Sequence, residues 1–122
     1  MKRNMDLLRN MLLIIESCPD VPPKTLRLDS FLDIESDICV VSLHLELLKE
    51  AGFIEAKVLS VDNGVKNFEI TRMTFAGYEY LDSIRDAKIW RNVKQKISAV
   101  GGATFDIIKS IAEAEIANEL QL

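Results

Sequence analysis

The tripeptide Asp62-Asn63-Gly64 stands between two short runs of alternating character, "EAKVLSV" and "VKNFEI". Asn-Gly is the strongest short-range signal for a tight β-hairpin, because both residues tolerate the positive φ that such a turn demands. Immediately upstream, Ile38, Val41, Leu45 and Leu48 recur at helical spacing, Ser36 or Asp37 can cap the helix start, and Gly52 follows Ala51 where a left-handed terminus is wanted. A helix that runs directly into a hairpin leaves few folds open. Two registers compete: a two-residue turn sets Val58 against Glu69, whereas a three-residue loop with left-handed Gly64 places Ala56 and Val58 on the face of Phe68 and Ile70. The apolar match selects the three-residue loop, and it leaves Leu59, Val61 and Val65 as a small apolar tip on the outer face.

The flanking segments complete an order of elements. A first helix spans about Asn4 to Ser17, with Met5, Leu8, Leu12 and Ile15 on one face and Leu7, Met11 and Ile14 widening the stripe. The connector "PDVPPKTLRLDSF" carries three prolines, which forbid a helix, and Thr25 to Leu28 is predicted as a short strand. A third long helix is predicted from Thr74 to about Ser98. Its apolar stripe changes phase: Gly77, Leu81 and Ile84 point one way, Ile89, Val93, Ile97 and Val100 nearly the opposite way. The first half is expected to pack under the hairpin and the second to leave the domain, meeting the tail after a Gly101-Gly102 joint.

Helix, strand, helix, two-stranded hairpin, helix is the order of a winged helix, with the usual middle helix squeezed to one turn between Phe31 and Ser36. The predicted fold is therefore α+β and mostly helical: a winged-helix (winged helix-turn-helix-like) domain over residues 1–88, with a short β-hairpin wing, and a C-terminal helical appendage over 89–122, a possible dimerisation element.

Three stretches carry a resemblance. "MKRNMDLLRNMLLIIE", "HLELLKEAGFIEA" and "TFAGYEYLDSIRDAKIW", taken in this order, resemble the phage- and prophage-associated Domain of Unknown Function family 2513, which is winged-helix-like. Tyr78 and Ala87 depart from the pattern, where a histidine and an aspartate are expected. The resemblance implies a bacterial, mobile-element setting and, by analogy, a regulatory role.

Composition narrows the function. With 15 basic and 19 acidic residues the net charge is −4, so nucleic acid would have to be held by a local patch. Apolar runs no longer than Met11 to Ile15 exclude a membrane span of the helical kind, and without a signal peptide the chain is expected to be cytoplasmic. Cys18 and Cys39 are expected to stay reduced there. Cys39 and His44 point about 140° apart on a helix and lack a second ligand pair, so no metal site is expected. Glu46 and Glu50 lie one turn apart, but an open helix face makes such a pair a solvated one; with no nucleophile elbow and no phosphate loop, neither catalytic residues nor a cofactor are expected.

Two functions remain. The first is a dimeric winged-helix transcriptional regulator contacting duplex DNA through Lys2, Arg3, Arg9, Lys66, Arg85, Lys88, Arg91 and Lys94. Its homodimer interface would comprise Ile89, Trp90, Val93, Ile97, Ile107, Ile108 and Ile111. The alternative is a protein-interaction module in which the acidic second helix or the apolar wing tip docks a host or phage protein. Charge favours the alternative locally: the second helix presents Glu46, Lys49 and Glu50, and the wing's three bases are matched by three acids. The tail carries Asp106, Glu113, Glu115 and Glu119 beside a basic helix segment, which predicts that the two pack together, within one chain or between two.

Overall fold

The computed structural model describes residues 1–18 and 25–122; the three-proline reading falls on residues 19–24 and lies outside them. Helix α1 is Met5–Ser17, α2 Ile38–Glu50, strands β1 Ile54–Asp62 and β2 Val65–Met73, followed by α3 Phe75–Ile84, α4 Ala87–Ser98 and α5 Phe105–Glu119. This is a mixed α+β fold, mostly helical, in the order of a winged helix. Two compact units divide it, residues 1–78 and 79–122, so the boundary falls ten residues earlier than the sequence reading put it.

In the first unit, α1 starts where the Asn4 side chain accepts from the Leu7 N–H at 3.0 Å, and α2 where Asp37 accepts from the Cys39 N–H at 2.9 Å. Gly52, at φ 79°, turns the chain out of α2 as expected. The core is built from the wide stripe of α1 (Leu7, Leu8, Met11, Leu12, Ile15), from Val41, Leu45 and Leu48 of α2, and from Phe68, Ile70 and Met73 of β2. Ile38, assigned to the α2 stripe, is instead 43% exposed, since the first residue of the helix overhangs the core.

The middle helix is a single 3-10 turn at Leu28–Phe31, ahead of the Phe31 to Ser36 interval where it was expected, with Leu28 and Phe31 buried. The predicted strand at Thr25 to Leu28 shrinks accordingly to one bridge. Leu26 exchanges two backbone hydrogen bonds with Ile70, at 3.1 and 2.8 Å, before the chain coils.

The hairpin corrects the register argument in an instructive way. Asp62 pairs with Val65, so the turn holds two residues, Asn63 and Gly64 at φ 51° and 81°, not three. A bulge between Val58 and Ser60 then absorbs Leu59, and beyond it Val58 faces Phe68 and Ala56 faces Ile70. The bulge restores the apolar pairing that the turn alone would have broken. Because Val61 pairs with Lys66, it shares the side of Phe68, and the expected outer-face trio is split across the hairpin.

The long third helix is two helices. Asp86 leaves helical geometry at ψ 131°, and its carboxylate accepts from the Lys88 and Ile89 N–H groups, starting α4 afresh. The change of phase in the stripe marks this break. In the second unit α5 packs on α4, Ile108 and Ala112 are buried, and the Tyr80 ring meets Phe105 edge-on at 5.0 Å between centroids.

Candidate functional site

The expected contact residues are best followed unit by unit. In the first, Lys2 and Arg3 are exposed ahead of α1 and Arg9 is partly covered on it. Lys66 projects from β2 onto α2, where its ammonium pairs with Glu46 while its carbonyl accepts from the Ser42 hydroxyl at 2.8 Å. The recognition-helix position and the wing are thus joined to each other. The small cleft between them, about 240 Å³, is lined by Cys39, Leu43, Glu46, Val65 and Lys66. Among the described residues its base, Lys66, is already matched by its acid, Glu46, so a phosphate entering it would gain little net attraction.

The rest of the wing pairs its own charges. Arg72 reaches Glu55 at 2.7 Å, and Lys57 and Arg27 both approach Glu69 at 3.7 Å. Among the exposed residues of the hairpin three are apolar, Val58, Leu59 and Val61, at 41 to 58% exposed. A second cleft, about 340 Å³, opens beside them between Leu59, Ser60, Asp62, Asn67 and Phe68 on the hairpin and Arg27, Leu28, Asp29 and Ile38 from the 3-10 turn and the start of α2. Leu32 and Ile34, in the chain that joins those two elements, are also exposed. The sequence reading found the wing tip but missed its continuation. The signal was present in "DSFLDIESD", residues 29–37, where four acids alternate with Leu32 and Ile34, which no helix or strand pattern claims.

His44 is buried, 1% exposed. Its Nε2 accepts from the Asn4 N–H at 2.9 Å and its Nδ1–H donates to the Val40 carbonyl at 2.8 Å, so the neutral ring ties the start of α1 to α2. Among the described residues no cluster of His, Cys, Asp and Glu could hold a metal ion.

In the second unit the basic helix is largely engaged by neighbours. Arg85 pairs with Asp82 at 2.7 Å, Lys88 with Glu119, Lys96 with Glu115, and Lys94 lies 5.9 Å over the Trp90 ring. Arg91 is exposed. The Glu115 carboxyl is held below the ordinary carboxylate range, chiefly by the hydrogen bond from Lys96, against the opposing cost of its partial burial. The Lys88 ammonium is pushed up by its hydrogen bond and charge contact with Glu119. Of the expected dimer residues, Ile89, Trp90, Val93, Ile97 and Ile108 are buried within the chain, Ile111 is partly covered, and Ile107 is 51% exposed.

The first unit thus has a winged-helix-like layout in which Lys66 of the wing pairs with Glu46 of α2 and Val58, Leu59 and Val61 stand exposed on the hairpin. A family model described as "Hypothetical protein (DUF2513)" matches residues 2–104, and the chain belongs to that family. It is similar, at 36% identity over 121 residues covering 98% of this chain and 99% of the relative, to an uncharacterized protein of Haemophilus influenzae. No solved structure matches it. No helix is long and apolar enough to cross a membrane among the described residues.

Proposed function

We propose that this chain is a non-enzymatic protein-interaction module that uses the winged-helix layout to present its wing edge to another protein, in the cytoplasm of a bacterium carrying the parent phage or prophage. One observation carries the reading. Among the described residues the base that lines the cleft between α2 and the wing, Lys66, is held by Glu46, while Leu59 and Val61 of the same hairpin stand exposed. A DNA reader spends its arginines and lysines on phosphates and base edges; here α2 offers Glu46 and Glu50 in their place. Apolar side chains on an otherwise charged surface point to a protein contact.

A photo-crosslinking amino acid at position 59, introduced in the cell of origin, tests this. The reading expects discrete protein adducts that are missing when the same group replaces Asp82; adducts to nucleic acid, or none at either position, contradict it. A second reading, the DNA-binding dimeric regulator, has one observation in its favour: Lys2, Arg3 and Arg91 are exposed. Duplex binding through them would be independent of sequence, since none of the three lies on α2 or the wing.

A further inference from the structure

The cleft of about 340 Å³ beside the hairpin has a chemistry that names its occupant. Leu28, Ile38, Leu59 and Phe68 supply an apolar lining, and Ile38 and Leu59 are nearly half exposed across the opening from one another. Its charged lining residues are Arg27, Asp29 and Asp62. Arg27 already pairs with Glu69, whereas Asp62 accepts from the neutral Asn67 amide at 2.8 Å. The chain that runs from the 3-10 turn to α2 adds Asp33, Glu35 and Asp37 without a single base between Asp29 and Ile38. The apolar slot thus has two carboxylates in its lining, Asp29 and Asp62, against one base that is already paired, with Asp33, Glu35 and Asp37 in the chain leading from it to α2.

We infer that this cleft docks a segment of a partner protein whose apolar side chains are flanked by lysine or arginine; the inference rests on the protein-docking reading above and adds the partner's chemistry. Apolar anchors would cover Ile38 and Leu59, and their basic flanks would meet Asp29 and Asp62. A second copy of this chain is a poorer fit, because the same face would bring the same carboxylates against themselves. Nucleic acid and anionic membranes are repelled for the same reason.

The test uses the full chain and three fluorescent peptides of equal length with the same leucine spacing, flanked by lysine, glutamine or glutamate. Fluorescence anisotropy is expected to rank them lysine first, with the lysine peptide losing affinity as salt rises. Leu59→Ser with Val61→Ser, both at exposed sites and so compatible with folding, are expected to weaken it about tenfold or more, as loss of interface anchors does. Asp29→Asn with Asp62→Asn are expected to abolish its preference over the glutamine peptide. Equal binding of all three peptides, or binding of the lysine peptide that ignores both double variants, overturns the inference. If the glutamine peptide alone binds and Leu59→Ser removes it, the docking reading stands and the charge assignment falls. If none binds below about millimolar concentration while duplex DNA does, both fall.

Discussion

Gly77 is the residue whose replacement the structure forbids most clearly. A Cβ built on it would lie 2.2 Å from the Phe53 carbonyl oxygen and 2.6 Å from Met73 Cγ, so the start of α3 must press directly on the turn that leaves α2. Thr74 prepares this approach: its hydroxyl donates to the Gly52 carbonyl and accepts from the Gly77 N–H. Gly77→Ala is expected to cost about 1–3 kcal/mol in urea unfolding, as overpacking against backbone does, and an unchanged midpoint would mean the approach is looser than described. His44 gives a second case at this scale. His44→Leu keeps the volume but leaves the Asn4 N–H without its acceptor, so a loss of about 1 kcal/mol is expected, localised by faster amide exchange at the start of α1. Neither role was legible in sequence. Gly77 reads as a helix residue, and the partner of His44 lies 40 positions away.

At the scale of elements, the sequence marked ends well where one side chain sets them and poorly where a break lay inside a longer pattern. Asn4, Asp37 and Gly52 bound their helices as their chemistry predicts. Asp86 escaped notice because it sits within a basic, helix-favouring run, although the phase change of the stripe around it recorded the break. The bulge at Leu59 escaped because a period-two pattern contains nothing that distinguishes an extra turn residue from an extra strand residue. The wing tip was legible, and its cleft was not, because Asp29 and Ile38 reach it through tertiary structure alone. The packing of α4 with α5 was foreseen from opposite charge, and it makes a prediction about pH. Glu115 titrates below its ordinary range when α5 is docked, so its contribution is complete above that range and is lost as pH falls through the lowered value. Lys88 works in the other direction, its contribution lasting from neutral pH upward until its raised value is passed. The urea midpoint followed by Trp90, the single tryptophan and a buried residue of α4, is therefore expected to be lower in Glu115→Gln than in wild type at neutral pH. That gap is expected to close in acid; a gap that stays constant with pH would assign the difference to packing.

For the molecule as a whole, the same local fact recurs in both units: of the bases that sequence alone offers to a phosphate backbone, Lys66, Arg85, Lys88 and Lys94 are already placed beside carboxylates or an aromatic ring. Surface pairs of this kind add little stability, about 0–1 kcal/mol each, but they cancel the field that would draw nucleic acid to a chain of net charge −4. Under the proposed function the winged-helix layout meets protein and not DNA, and titration of the purified chain with random-sequence duplex at about 50 and about 200 mM salt separates the two. No saturable binding is expected at the higher salt below about 100 μM duplex, which is weaker than ordinary non-specific binding, and only a shallow response at the lower. Micromolar binding with a steep salt slope, reduced by about two when Arg91 and Lys94 are both changed to Ala, would contradict it and place the basic residues of α4 on the phosphate backbone.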